Sequence, residues 1–115
     1  MKLSENFDRS EFACKDKCGF STVDVELLCV LELVRYHFNS PVTINSACRC
    51  EKHNAEIGGT PNSKHMLGIA ADIVVKDVSP QKVYDFICNH APDKYGIGNY
   101  KTFTHIDVRK MCGRW

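Results

Sequence analysis

The chain has 115 residues, room for one domain over residues 1–115 with a modest core. Hydrophobic residues make up 43% and charged residues 25%, and a net charge of +1 leaves no excess to make nucleic acid or an anionic membrane the main partner. No stretch approaches the roughly 20 apolar residues of a membrane span, and the start, MKLSENFDRSEF, lacks the apolar run of a secretory signal; the expectation is a monomer made in the cytoplasm without membrane insertion, carried to any outside target by another factor.

Residues 1–20 are polar with three aromatic anchors, Phe7, Phe12 and Phe20, and read as an irregular lead-in with a short helical turn. Ser21 or Thr22 can cap a helix that has Asp24 and Glu26 in its favoured first turn. Val23, Leu27, Val30, Leu31, Val34 and Phe38 then recur at helical spacing, predicting a helix from about 22 to 38 that ends at Asn39-Ser40-Pro41. Val42 to Asn45 is β-branched and alternating, a short strand. The polar segment Ser46 to Lys64 has room for a short helix near 51–56, closed by Gly58-Gly59. Ile69 to Val75 is a compact apolar run and the best central strand. Ser79-Pro80 opens a second main helix whose buried stripe is Val83, Phe86 and Ile87, with Pro92 just past its end. Gly96 to Tyr100 and Phe103 to Val108 read as adjacent strands joined by a tight Lys101-Thr102 turn. The predicted fold class is α+β, two main helices packed on a small, largely antiparallel sheet.

Seven cysteines are many for this length, but an odd count without an export signal does not suit a complete disulfide framework. Cys29 and Cys88 fall within helical apolar patterns and read as small core residues. Cys14, Cys18, Cys48 and Cys50 offer a second, structural zinc site. Neither spacing is the common C-x2-C, and reduced thiols or a disulfide formed after release are the alternatives.

The stretch Ser63-Lys-His65-Met-Leu-Gly68-Ile-Ala70-Ala-Asp72 sets a histidine and an aspartate around small residues, and a second stretch reads His105-Ile-Asp107-Val-Arg109. On a strand, residues two apart share a face, so His105, Asp107 and Arg109 should point one way and Ile106 and Val108 the other. Two imidazoles and a carboxylate suit a catalytic zinc, which uses three protein ligands and leaves a position for water. Zinc lowers the pKa of that water towards about 7 and polarises the carbonyl it attacks. Gly68, Ala70 and Ala71 would let backbone approach the metal closely. On spacing alone other readings stay open: His65 as an exposed loop histidine, Asp72 as a strand-edge carboxylate, and His105 with Asp107 as a polar pair on a solvent face.

Ser63-x-His65-x-x-Gly68-x-Ala70-x-Asp72 followed by His105-x-Asp107 resembles the signature of the zinc peptidases of family M15, the D-Ala-D-Ala carboxypeptidases and peptidoglycan endopeptidases, phage endolysins among them. Ser46-Ala-Cys-Arg49, Asn54 and Gly58-Gly59 resemble the segment that precedes the zinc motif in the branch holding the small D-Ala-D-Ala carboxypeptidases. Phe7…Ser10-Glu11-Phe12…Cys14 is similar to the start of that branch, and Gly96-Ile-Gly98…Tyr100…Phe103…His105-Ile-Asp107-Val-Arg109 to its end. Nearly the whole chain is covered, in order.

The resemblance implies that His65, Asp72 and His105 bind Zn2+ and that the substrate is a peptidoglycan stem peptide or cross-link. It makes Arg49 the residue that faces the substrate, where a guanidinium can hold a carboxylate with two parallel hydrogen bonds; a structural ion pair is the alternative. Ser63 would hydrogen-bond substrate or cap the loop. Asn54 and Gly58-Gly59 would shape that loop. His37, His53 and His90 match nothing and read as surface or local structural residues. The chain departs from some branches at Thr102, where they carry an acidic general base three residues before the last zinc histidine. Asp107 is then the nearest acid on the correct face, either as the base or as a residue that orients a zinc-ligating histidine or pairs with Arg109. A catalytically silent binding or structural module of the same fold is the alternative function.

Overall fold

The computed structural model describes residues 2–15, 23–47, 51–59 and 64–115, with backbone alone at 51–53. The lead-in is tied down at its aromatic anchors. Asp8 caps a single 3-10 turn, Arg9–Glu11, and Glu11 reaches back to the Asp8 N–H, a reciprocal capping box. Phe7 and Phe12 flank that turn, fully buried and edge to face with ring centroids 6.1 Å apart.

Helix α1 runs Val25–Phe38, and its N-cap is Asp24, whose carboxylate accepts from the Glu26 N–H. The expected start near Ser21 or Thr22 is corrected here: Asp24 occupies the cap with extended backbone, and Ser21 and Thr22 lie outside the described residues. Leu27, Val30, Leu31 and Val34 are buried as the helical period requires, while Val23 and Phe38 are only partly so. Asn39 ends the helix in the left-handed region at φ 49. Cys29 is exposed on this helix, which corrects its expected place in the core, whereas Cys88 is half-buried and packs against the core cluster. In α1, Cys29 lies four residues beyond Val25, which is 75% exposed, so it shares the solvent side rather than the core stripe.

Strand β1, Val42–Ser46, is followed by the short helix α2, Glu51–Glu56, which Gly58 closes at φ 75 while Gly59 N–H bonds back to the Asn54 carbonyl. A 3-10 turn, Lys64–Leu67, leads into β2, Ala70–Val75. Helix α3, Pro80–His90, is capped by Ser79 and carries Pro at its start, and it buries Val83 and Ile87. Strands β3, Gly96–Asn99, and β4, Thr104–Asp107, form the expected hairpin.

The sheet order is β1-β2-β4-β3-β5. Three ladders are antiparallel, but β5, Gly113–Arg114, joins β3 in parallel, so the sheet is mixed. The sequence reading did not include β5. Two residues with no alternating apolar pattern carry no strand signal, and the strand is held by Arg114, whose guanidinium donates to the carbonyls of Ala91, Lys94, Tyr95 and Gly113.

Alternation along the strands divides the sheet. Ile44, Ala71, Ile73, Val75, Ile97 and Ile106 belong to the buried apolar cluster shared with α1 and α3. Asp72, His105 and Asp107, one residue out of phase, emerge on the opposite face.

Candidate metal centre

Three elements bring His65, Asp72 and His105 together. Asp72 and His105 are direct cross-strand partners in the β2–β4 ladder, which puts their side chains next to each other on one face. His65 arrives from the 3-10 turn just before β2. Gly68, at φ 72, takes the backbone conformation that lets the chain reverse from that turn into the strand. One donor atom from each residue lies within 4.8 Å of the others, and all three residues are buried. Among the described residues this is the group of His, Cys, Asp and Glu side chains close enough to share one ion.

The hydrogen bonds fix which atoms point inward. His65 Nδ1 lies 2.6 Å from the Ala47 carbonyl, which can only accept, so Nδ1 carries the hydrogen and Nε2 is left as the lone-pair nitrogen 3.2 Å from Asp72 Oδ1. Ala47 is positioned by a bulge in β1. Ile44 pairs with Ile73 but Ser46 pairs with Asp72, so Asn45 is an extra residue that re-aims the strand end.

His105 is arranged the other way round. Its Nε2–H donates to Asp107 Oδ2 at 2.8 Å, and Nδ1 faces Asp72 Oδ1 at 2.9 Å. Two nitrogens and a carboxylate oxygen thus converge, while the far nitrogen of each ring bonds to an acceptor behind it. A lone pair aimed at a carboxylate oxygen is repulsive unless a cation lies between them. The donor set therefore fits a metal ion, and without one a shared proton takes that part.

Charge follows this geometry. Burial alone would push the Asp72 carboxyl up, but its contacts with the His105 and His65 imidazoles hold it well below the usual carboxylate range. Burial likewise opposes the charge on Asp107, and hydrogen bonds from His105 and Arg109 outweigh it. His105 is pulled down by burial, yet its bonds to Asp107 and Asp72 leave it raised. A metal held by His65, Asp72 and His105 would take the place of that proton.

Asp107 is fully buried, and both of its oxygens are engaged. Arg109 grips it bidentately, Nε to Oδ1 and Nη2 to Oδ2, both at 2.7 Å. The Gly96 and Arg109 N–H groups each reach Oδ1 at 3.2 Å. Thr102 sits exposed in the β3–β4 turn. Arg49 and Ser63, the two expected substrate-facing residues, lie outside the described residues, as do Cys18, Cys48 and Cys50. Cys14 is buried in the hydrophobic core. His37 and His90 are exposed on the helices, His37 stacked on Phe86 at 3.9 Å.

Two parts of the site escaped sequence reasoning. The Ala47 carbonyl is a backbone acceptor and leaves no mark in residue type. Gly96 is needed because a Cβ there would lie 2.5 Å from both Arg109 Nε and Asp107 Oδ2. Its signal was available: a glycine inside a strand marks close approach of another group.

No curated protein matches the chain. A family model described as peptidase M15 matches residues 5–107, a span that holds all three clustered side chains and Asp107. The chain therefore belongs to the peptidase M15 family, whose members are metal-dependent peptidases.

Proposed function

We propose that this protein is a zinc peptidase that hydrolyses a peptide bond in peptidoglycan, in a stem peptide or cross-link containing D-amino acids. One observation carries the reading: His65 Nε2, Asp72 Oδ1 and His105 Nδ1 converge with the far nitrogens of both rings bonded to Ala47 and Asp107. Two nitrogens, one carboxylate and no thiolate suit a catalytic zinc rather than a structural one. Bound there, zinc supplies Lewis acidity that activates water and polarises the scissile carbonyl.

The chain's own residues do the rest. Ala47 and Asp107 hold the two imidazoles in the metal-binding tautomers. Asp107, enclosed by Arg109, Gly96 and His105, acts through His105 as a positioning residue; its buried, fully bonded carboxylate favours this role over that of general base. Arg49 holds a substrate carboxylate bidentately, and Ser63 hydrogen-bonds the substrate or its loop. The protein reaches the wall through a partner that opens the membrane or as part of a virion.

Digestion of purified sacculi with zinc-loaded protein tests the reading. New amino and carboxyl ends, absent from a metal-stripped control, are expected by mass spectrometry, and their identity names the bond: L-Ala–D-Glu, a cross-link, or D-Ala–D-Ala. Zinc-replete protein that creates no new ends overturns it. The second reading is a zinc-holding binding module without turnover, and it has specific support: Thr102 stands where some relatives carry an acid, and Asp107 is sealed from substrate. Retention of the protein on sacculi without cleavage is its signature. Arg49→Lys separates the roles of that residue. Loss of turnover with zinc content and stability unchanged marks a bidentate clamp, and collapse of stability marks a structural ion pair.

A further inference from the structure

The sheet face that carries the metal ligands is continued by a firmly held aromatic. Trp115 extends the parallel pairing beyond β5. Its N–H donates to the Ile97 carbonyl at 3.1 Å, and its own carbonyl accepts from Asn99 N–H at 2.7 Å. The four carbonyl bonds of Arg114 anchor the preceding residue. The indole then lies across Gly98, where a Cβ would come within 2.5 Å of Nε1. Gly98 is the β3 partner of His105, so the ring is delivered to the metal centre, its centroid 5.2 Å from that of His105. Its Nε1–H is taken up by the Tyr100 hydroxyl at 2.8 Å, and Tyr100 stacks on Phe103 at 4.5 Å. The Arg109 guanidinium sits over the ring at 5.1 Å.

Core packing does not account for this placement. Trp115 is 44% exposed and Tyr100 42% exposed, so apolar surface is held rigidly in water beside a polar site. A half-exposed aromatic fixed beside a polar centre is how binding sites present contact area without an ordering penalty. Distance sets what it touches. Extended peptide advances roughly 3.3–3.6 Å per residue, so a chain whose scissile carbonyl lies at the metal passes the indole within about two residues of the cut bond. Chemistry sets what it accepts. With its N–H already bonded to Tyr100, the indole itself offers an apolar surface and no donor, which suits a methyl group.

We infer that Trp115, seated on Gly98 and tethered to Tyr100, is a specificity-determining residue whose indole packs against the alanine methyl next to the scissile bond. This rests on the peptidoglycan reading above. Trp115 is the only tryptophan in the chain, so its fluorescence reports directly on the contact.

The experiment mixes zinc-loaded protein with a soluble cross-linked muropeptide dimer that keeps one pentapeptide stem, so that all three candidate bonds are present, and follows indole emission and hydrolysis together, in the parent, Trp115→Ala and Trp115→Phe. Parent emission should change on mixing. Trp115→Ala should raise KM roughly tenfold, the size of one lost apolar contact, with kcat within a few-fold. Trp115→Phe should recover most of the loss. An unchanged KM in Trp115→Ala overturns the inference. If Trp115→Ala fails to hold zinc, the decision passes to the parent's emission: a shift on mixing supports the contact, and silence overturns it. The peptidoglycan reading is judged separately by parent turnover. Cleavage without an emission change or a KM effect sinks only the role of Trp115. An emission change without cleavage sinks only the hydrolase reading.

Discussion

The two faces of this sheet obey different physics. On the helix side, Ile73, Ile97 and Ile106 pack with Leu31, Val34, Val83 and Ile87, all essentially inaccessible to solvent. Such contacts are non-directional, and losing one lowers stability without choosing a function to damage. On the other side, His65, Asp72, His105, Asp107 and Arg109 form a chain of directional bonds in which each group fixes the next. Losing one member leaves its neighbour unpaired and misdirects the donor beyond it. Residues adjacent in sequence but opposite in direction should therefore fail in different ways.

His105 and Ile106 give the largest contrast. His105→Ala removes one of the proposed zinc ligands, so zinc content should fall to background and sacculus hydrolysis to that of the metal-stripped protein, while the fold persists. Ile106→Ala empties a fully buried site and should cost about 2–5 kcal/mol of stability, with one zinc per folded chain retained. Elemental analysis and thermal unfolding of both variants decide it. If Ile106→Ala loses zinc while still folded, the two faces are not separable.

Asp107→Asn comes next, because it probes the metal face one bond behind the ligand. As a positioning residue, Asp107 predicts zinc affinity weaker by roughly 10–100-fold, with turnover per bound zinc close to the parent's. Normal affinity with turnover down by roughly 10²–10⁴ would instead identify a general base. Competition with a calibrated chelator, alongside rates at saturating zinc, separates the two.

A pair of glycines sharpens the comparison further. In Gly96→Ala the new methyl meets the Asp107–Arg109 fork at 2.5 Å, so zinc affinity should fall, roughly tenfold, through His105. Gly58 has nothing within 4 Å of a Cβ but sits at φ 75, so Gly58→Ala should cost about 1–2 kcal/mol of backbone strain with zinc affinity unchanged. Equal effects on zinc from both glycines would contradict the proposed division.

Much of the fold was legible in the sequence because periodicity reports burial. The α1 stripe, the Ile69–Val75 run and the β3–β4 hairpin all announce an apolar face, and the chain forms each within a few residues of its expected place. The start of α1 was misread because Ser21, Thr22 and Asp24 are all competent caps, and only tertiary packing selects Asp24. Cys29 was misplaced because cysteine is among the most often buried residue types, while the register of α1 turns this one to solvent. Strand β5 left no trace, since a two-residue parallel strand held by an arginine has no pattern to display. At the site, the side chains that cluster, His65, Asp72 and His105, were visible in the motif. The Ala47 carbonyl and the β1 bulge were not, because backbone direction is not written in residue type.

The smallest expected effect lies on the helix side and tests whether a polar network there behaves like the one at the metal. Glu32 on α1 accepts from the Ser4 hydroxyl and from both the backbone and side-chain nitrogens of Asn6, pinning the lead-in whose Phe7 fills the core. Burial raises its carboxyl, and the bonds from Ser4 and Asn6 outweigh that and leave it below its ordinary value. A depressed carboxylate stabilises the fold at pH values above its unfolded pKa of about 4.3. That contribution is lost as pH falls through the lower folded value. Glu32→Gln should therefore cost about 1 kcal/mol at neutral pH, the scale of a part-exposed hydrogen-bonded charge, or roughly 4 °C in Tm. The gap from the parent should close on acidification below about pH 4, and zinc affinity at pH 7 should not change. Thermal unfolding of both proteins across that range checks the sign. A gap that stays constant with pH would mean that Glu32 holds the lead-in by shape rather than charge, and a change in zinc affinity would mean that the helix side is coupled to the metal after all.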